Sequence, residues 1–183
     1  MEIHLIRHTT PDIQKGICYG QSDIGVAATF SSEVKEIQKQ IPLDASTVIY
    51  SSPLQRCMQL ANSFGLPVIQ DSRLREVNFG TWELQAWDAI PQNEMEPWMK
   101  NFVSVAPPSG ESYEAVQKRV LASFTEILQS SSKSVIICTH ASPLRIILSN
   151  LKEIPLKDSF SLTVAYGQVF KIQYADKKLT IID

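Results

Sequence analysis

The sequence predicts an α/β fold, a three-layer α/β/α sandwich with a mostly parallel central sheet and an antiparallel edge strand. Short apolar runs alternate with segments in which apolar residues recur every three or four positions, as in strands that alternate with amphipathic helices. Two late apolar runs, around residues 164–174 and 179–182, are expected to pair as an antiparallel hairpin at the sheet edge. The length of 183 residues suits one domain, predicted over residues 1–183.

Two pairs of a strand and a helix are predicted in the first third of the chain. Residues 2–7 form a strand, and apolar residues at spacings of three and four predict a helix over residues 30–41. Residues 47–50 form the second strand. The helix after it is predicted to begin with Ser52 as its cap and Pro53 as its first residue.

The middle of the chain has a less regular pattern. A short strand over residues 68–70 precedes a glycine-centred loop, and a tryptophan-rich stretch over residues 82–102 is predicted to be helical but broken by Pro91 and Pro97. The tryptophans either line a surface for a base or pack in the core, and packing is the favoured interpretation. These residues are Trp82, Trp87 and Trp98.

The last pair of a helix and a strand has the clearest pattern. Apolar residues predict an amphipathic helix over residues 113–127, followed by a buried strand over residues 134–138. Ser142 and Pro143 are predicted to supply the cap and the first residue of a helix that reaches Asn150.

Composition and charge argue against several classes of function. A net charge of -2 with a pI near 5.9 argues against broad nucleic-acid binding, which usually needs clustered Lys and Arg. No apolar stretch approaches the roughly 20 residues that span a bilayer, and residues 1–8 do not resemble a signal peptide, so we expect a cytoplasmic protein without a membrane partner.

The cysteine pattern predicts neither a disulfide framework nor a metal site. The three cysteines form no close pair and show no metal-ligand spacing, so we expect free thiols, no metal and no cofactor. Packing is the favoured role for all of them, although Cys18 lies in a loop and could line a pocket. The oligomeric state stays open.

Three ionisable residues follow directly after predicted strands. These are His8, Arg56 and His140, and Arg7 precedes the first of them. Ligands of open α/β sheets bind outside the carboxyl ends of the strands, so these groups are expected to meet in one place. A single histidine near a strand is more often structural, as we expect for His4, and the hypothesis therefore depends on the convergence of several residues.

The combination of two arginines and two histidines favours phosphoryl chemistry. The planar guanidinium groups of Arg7 and Arg56 match phosphate oxygens, and nearby helix N-termini add N–H donors. Positive charge around His8 disfavours its protonation and keeps a ring nitrogen free to attack phosphorus, while His140 can donate a hydrogen bond to a transferring oxygen.

These residues resemble the histidine phosphatase superfamily, also called phosphoglycerate mutase-like, over nearly the whole chain. Four motifs occur in order: Leu-Ile-Arg-His at residues 5–8, Ser-Ser-Pro-Leu-Gln-Arg at 51–56, Arg-Leu-Arg-Glu at 73–76 with Phe-Gly at 79–80, and Cys-Thr-His at 138–140. The resemblance implies a metal-independent phosphatase with His8 as the phosphorylated nucleophile. It further implies a phosphate pocket and a proton donor, formed by Arg7, Arg56 and His140 and by Glu76 respectively.

Residues 16–23 are similar to a loop of the alpha-ribazole phosphatase branch, whose members remove the 5'-phosphate from alpha-ribazole phosphate during assembly of the cobalamin nucleotide loop. Thr9 also suits this branch. The resemblance implies that Tyr19, Gln21 and Ala141 contribute to substrate binding together with the phosphate pocket. The alternative for residues 16–23 is an ordinary surface turn.

Other functions stay open beside this one. A phosphatase of another small phosphomonoester is the main alternative, and a phosphoglycerate mutase or a non-catalytic phosphate-binding protein is less favoured. The chain also departs from the family pattern, because Leu84 and Ala141 stand where glycine or another small residue is common. These departures affect the expected shape of the substrate pocket rather than its catalytic groups.

Overall fold

A computed structural model describes residues 1–182. Within this range the strands are β1 (Glu2–Arg7), β2 (Val48–Ser51), β3 (Val68–Gln70), β4 (Ser134–Thr139), β5 (Val169–Ala175) and β6 (Lys178–Ile182). The α-helices are α1 (Phe30–Gln38), α2 (Gln55–Asn62), α3 (Gln92–Lys100), α4 (Tyr113–Leu128) and α5 (Ala141–Leu151). Short 3₁₀ turns connect several of them, and none of the helices described is long and apolar enough to cross a membrane.

The six strands form one mixed sheet in the order β3-β2-β4-β1-β5-β6. The first four in this order pair in parallel, whereas β5 pairs antiparallel with both β1 and β6. The predicted fold class is therefore confirmed, including the antiparallel edge. The hairpin begins later than predicted, at Val169, because the chain turns through Gly167 with a positive φ of 68° just before it.

Helices cover both faces of the sheet because successive residues of a strand point to opposite sides. In β4, Val135 and Ile137 belong to the core that includes apolar residues of α4 and α5. Ile136 and Cys138 belong to the core on the other face, with residues of α1 and α2. All six residues of β4 are buried, as expected for a central strand covered on both sides.

The predicted caps of α2 and α5 are wrong. Helix α2 begins at Gln55, two residues after Pro53, and its first N–H donates to the Asp23 carboxylate at 2.7 Å. A side chain from a distant loop therefore replaces the local Ser52 cap. Helix α5 begins directly after His140, so that Ser142 lies inside its first turn rather than before it.

The tryptophan-rich stretch over residues 82–102 is α-helical only in α3, so the prediction of a helix is wrong for the part before Pro91. The predicted break is correct at Pro91 and wrong at Pro97. Pro91 directly precedes α3, whereas Pro97 lies inside it. A proline within a helix removes the hydrogen bond to the carbonyl four residues earlier, here that of Asn93. Both residues are exposed, so water can replace the missing donor and the helix continues.

Leu84 has a left-handed backbone with φ of 66° and a side chain that is 60% exposed. Glycine, which the resemblance leads one to expect here, would adopt this conformation without the strain of a Cβ. We expect Leu84→Gly to raise the free energy of unfolding by about 0.5–1 kcal/mol, because relief of the strain exceeds the added entropy of the unfolded chain. Urea unfolding measures the change. Leu84→Ala keeps the Cβ and should give no gain, so equal stability of the two variants would contradict the backbone explanation.

Candidate active site

The two predicted catalytic histidines lie side by side because they follow neighbouring parallel strands. Arg7 and Thr139 are register partners at the ends of β1 and β4, so the next residues, His8 and His140, leave the sheet together. Their ring centroids are 5.1 Å apart in an edge-to-face arrangement. Arg56, in the first turn of α2, completes the convergence expected from the sheet topology.

The hydrogen bond of His8 defines which ring nitrogen is free. Its Nδ1 lies 2.7 Å from the carbonyl oxygen of Thr9. A carbonyl can only accept, so Nδ1 carries the proton and Nε2 keeps its lone pair. The residue is 2% exposed, and burial, followed by the charge of Arg56, holds the pKa of His8 well below its usual value. The sequence predicts positive charge as the cause of the low pKa, whereas in the structure burial lowers the pKa more than charge does.

His140 is fully buried on the other side of the pair. Its Nε2 lies 2.8 Å from the hydroxyl oxygen of Ser52, which therefore contacts a candidate catalytic residue rather than capping a helix. Burial, and then the charge of Arg56, lowers the pKa of His140 well below its usual value. The Cys57 thiol also lies against this ring, with Sγ 3.4 Å from Nε2.

The lowered pKa values of His8 and His140 predict a loss of stability on acidification. In the unfolded chain these two histidines bind protons near pH 6.5, whereas in the folded chain they bind protons only at a much lower pH. The stability that their neutral forms provide is therefore fully present above pH 6.5 and is lost as the pH falls below that value. Each group can contribute up to about 1.4 kcal/mol per pH unit. Urea unfolding at about pH 7.5 and 5.5 tests this, because carboxyl groups titrate mainly below that window. His8→Asn should show a weaker dependence, and an unchanged dependence would contradict the assignment.

Arg56 is a fully buried cation held by the loop before α1. Its two terminal nitrogens donate to the carbonyl oxygens of Ser22 and Gly20, each at 2.8 Å. Its Nε is buried and has no hydrogen-bond partner among the described residues. A buried guanidinium that meets only neutral carbonyls is well prepared to bind an anion.

Arg7 is fixed by a residue that the sequence did not indicate. Its terminal nitrogen donates to the carbonyl of Val164 at 2.6 Å, and its guanidinium carbon lies 3.8 Å from the centre of the Tyr166 ring. This ring is also 5.6 Å from the ring of His8. Tyr166 is far from Arg7 in the sequence, and no local sequence pattern indicates that the two residues are in contact.

Tyr19, a predicted substrate-binding residue, lies over the other arginine. Its ring centre is 5.4 Å from the guanidinium carbon of Arg56, and its hydroxyl is 2.6 Å from that of Tyr166. The two hydrogen-bonded tyrosines therefore lie against both arginines, Tyr19 over Arg56 and Tyr166 over Arg7. This position is compatible with the predicted role, since both rings stand beside the expected phosphate pocket.

Glu76 lies beside the start of α5. One of its carboxylate oxygens accepts from the N–H of Val77 at 2.9 Å and from the N–H of Ser142 at 3.2 Å. The carboxylate therefore lies next to the helix that begins directly after His140. Spacing alone did not identify Glu76, and only the family motif indicated it.

A network of side chains holds the loop that carries Glu76. Arg119 donates to the backbone carbonyls of this loop and pairs with Glu111 at 2.6 Å. The amide of Gln21 donates to the Glu76 carbonyl at 3.0 Å and to Glu111 at 3.2 Å. The structure thus places Gln21 behind the loop, where it supports Glu76, and its predicted contact with the substrate stays a prediction.

A cavity of about 230 Å³ opens beside Glu76. Ala141 lines it, and its predicted contact with the substrate stays a prediction. Its walls are largely aromatic and include one cation: Tyr19, Phe79, Trp87, Trp98, Phe160 and Arg145. The cavity therefore lies between the Glu76 carboxylate and the first turns of α5.

The tryptophans and Cys18 form one packed group at the side of this cavity. Trp87 and Trp98 pack against the core, as favoured from the sequence, and they also line the cavity. Trp82 is buried and donates its indole N–H to Glu94 at 2.8 Å. Cys18 packs in the same core cluster, where burial raises the pKa of its thiol to about 12.

The described residues 1–182 contain no group of three or more His, Cys, Asp or Glu side chains arranged to hold a metal ion. The absence of a metal requirement stays a prediction.

Comparison with known proteins gives a family match over nearly the whole chain. The model of the histidine phosphatase superfamily (branch 1) matches residues 3–183. "Putative phosphoserine phosphatase 2" of Hydrogenobacter thermophilus is 24% identical, with 98% of this chain and 93% of that protein covered. "Probable phosphoglycerate mutase GpmB" of Yersinia enterocolitica is 28% identical, with 96% and 86% covered. The alpha-ribazole phosphatase structure from Shigella flexneri superposes with a TM-score of 0.88 at 21% identity, covering 100% of this chain and 95% of that one.

Proposed function

Because this chain belongs to the histidine phosphatase superfamily, we propose that it is a phosphomonoesterase that takes the phosphoryl group of its substrate onto Nε2 of His8. The observation that carries the proposal is the hydrogen bond from His8 Nδ1 to the Thr9 carbonyl, which leaves Nε2 unprotonated. Arg7 and Arg56 supply the charge that a phosphoryl group needs, and burial keeps water from competing with the protein donors.

The reaction has two steps. In the first, the Nε2 lone pair attacks phosphorus, the bond from phosphorus to the ester oxygen breaks, and Glu76 donates a proton to the leaving alkoxide. In the second, Glu76 takes a proton from a water molecule, whose oxygen attacks the phosphohistidine. The bond from phosphorus to nitrogen breaks, and inorganic phosphate leaves. Arg7, Arg56 and His140 stabilise the charge on the transferring oxygens in both steps.

The proposed substrate is alpha-ribazole 5'-phosphate. The alcohol portion of this ester carries a flat aromatic base, and the cavity beside Glu76 has the aromatic walls Trp87, Trp98 and Phe160. The similarity of residues 16–23 to the alpha-ribazole phosphatase branch supports the same substrate. The alternative is another small phosphomonoester, as the names of the phosphoserine phosphatase and phosphoglycerate mutase relatives suggest.

Release of inorganic phosphate from a panel of esters tests the proposed function. The panel contains alpha-ribazole 5'-phosphate, phosphoserine, 3-phosphoglycerate and adenosine 5'-phosphate, with mutase products followed separately for 3-phosphoglycerate. We expect kcat/KM to be highest for alpha-ribazole 5'-phosphate, by about 10²-fold. A preference for phosphoserine would contradict the substrate, and no phosphate release from any ester would contradict the phosphatase activity.

Replacement of Arg56 tests the phosphate pocket. Arg56→Met should lower kcat/KM by about 10²–10³-fold, because it removes preorganised donors that face the transferring oxygens. The loss should be similar for every ester, since the phosphoryl group is common to all of them. Arg73→Met is a matched control, because Arg73 pairs with Asp71 and Glu126 outside the pocket. Wild-type kinetics in a folded Arg56→Met protein would place Arg56 outside the reaction.

A further inference from the structure

Arg145 lies on the same face of α5 as Ala141, the residue that directly follows His140. Helix α5 begins at Ala141, and Arg145 follows four residues later, which is about one turn or 6 Å along the axis. Both residues line the cavity that also contains Glu76. A substrate whose phosphoryl group lies at His8 would therefore extend its alcohol portion along this face toward Arg145.

The Arg145 side chain is held from one side only. Its Nε donates to the carbonyl of Leu162 at 3.1 Å, and its guanidinium carbon lies 5.0 Å from the centre of the Phe160 ring. These contacts fix the plane of the guanidinium and leave its two terminal nitrogens for another partner. Such a fork suits one oxygen acceptor or the two oxygens of a carboxylate.

Arg145 also differs from Arg73 and Arg119, two of the arginines near the loop that carries Glu76. Arg73 and Arg119 each form a salt bridge with a carboxylate. Across residues 1–182, Arg145 forms no salt bridge and makes its single protein hydrogen bond through Nε. The side chain is half-buried, so hydration of the cation is reduced, and this burial lowers the pKa of Arg145. An acceptor in the cavity would replace the lost hydration.

We propose that Arg145 is a specificity-determining residue whose terminal N–H groups bind an oxygen on the alcohol portion of the substrate. The apolar face of that portion packs against Trp87, Trp98 and Phe160. This inference rests on the proposed phosphatase function and extends it to a chemical class: phosphomonoesters whose alcohol portion carries a hydroxyl or a carboxylate that can reach Arg145. Esters without such an oxygen would use the same catalytic residues but gain nothing from Arg145.

The variant Arg145→Met tests the inference with three substrates. Alpha-ribazole 5'-phosphate offers sugar hydroxyls, phosphoserine offers a carboxylate, and phenyl phosphate offers neither. We expect kcat/KM to fall at least about tenfold for one or both of the first two, while phenyl phosphate stays within about twofold. A loss confined to alpha-ribazole 5'-phosphate assigns the acceptor as a hydroxyl, and a loss confined to phosphoserine assigns it as a carboxylate.

Two further variants keep the test decisive. Lys152→Met removes an exposed cation at the end of α5 and should change none of the three rates. Arg145→Lys keeps the charge without the planar fork and should give rates between those of the wild type and Arg145→Met. If Arg145→Met does not fold, the selectivity of Arg145→Lys for acceptor-bearing esters over phenyl phosphate provides the same comparison.

The results that would overturn this inference differ from those that would overturn the phosphatase function. Equal losses on all three esters would mean that Arg145 acts on the common phosphoryl chemistry or on folding, and unchanged rates would mean that it does not contact the substrate. Either result contradicts the inference while the wild type remains an active phosphatase. A wild type that hydrolyses none of the three esters would contradict the proposed function itself.

Discussion

His8→Ala is expected to abolish phosphatase activity, with a fall in kcat/KM of about 10⁴-fold or more. The nucleophile has no substitute in this pocket, because the neighbouring His140 is assigned to the transferring oxygens rather than to the phosphorus atom. Water attack assisted by Arg7 and Arg56 alone would leave only a small residual rate. Initial rates of phosphate release measure the effect, at an enzyme concentration high enough to detect this residual rate.

The control for His8→Ala is His4→Gln. His4 is also a buried histidine, but it lies within β1, whereas His8 follows the end of that strand. Its replacement should leave kcat/KM within about threefold of the wild type, because surface and core changes away from the site act on stability instead. Circular dichroism of both variants shows whether they fold. Substantial activity in folded His8→Ala would eliminate His8 as the phosphoryl acceptor.

Glu76→Gln is expected to lower kcat by about 10²–10⁴-fold for ordinary alkyl phosphates. The amide can still accept the hydrogen bonds from Val77 and Ser142, so the loop should keep its position. It cannot donate a proton to the leaving alkoxide or remove one from water. The variant therefore separates proton transfer from the geometry of the loop.

The dependence on leaving group makes this prediction sharper. A good leaving group such as p-nitrophenolate departs without protonation, so Glu76→Gln should retain a fast first step with p-nitrophenyl phosphate and show a burst of p-nitrophenol. Glu114→Gln, at an exposed position near the start of α4, is the matched control. An equal loss for alkyl and p-nitrophenyl esters in the first step would contradict the role of Glu76 as proton donor.

The sheet and the histidine pair could be predicted from sequence because both follow from short-range patterns and one general rule. The apolar runs marked β1 and β4, and parallel neighbours bring the residues after them together. The convergence of His8 and His140 therefore follows from the strand pattern without any family motif. The same rule predicts that Arg56 lies at this site, although the helix that carries it begins at Gln55 rather than at the predicted Pro53.

The remaining features depend on contacts between distant parts of the chain. Asp23 caps α2 from another loop, and Tyr166 packs on Arg7 across most of the sequence length. Such contacts leave no periodic pattern, so local reasoning could not find them. Arg145 could have been noticed, since it lies one turn after Ala141, but helical spacing alone does not tell a cavity residue from a solvated one.

The central claim, that His8 accepts the phosphoryl group, is tested most directly by trapping the intermediate. Wild-type protein is mixed with ³²P-labelled substrate, quenched in alkali, which preserves phosphohistidine, and digested for peptide mapping. We predict label on the peptide that contains His8, with loss of the label on mild acid treatment and no label in His8→Ala. Label on another residue, or rapid turnover without any labelled protein, would contradict the phosphohistidine mechanism.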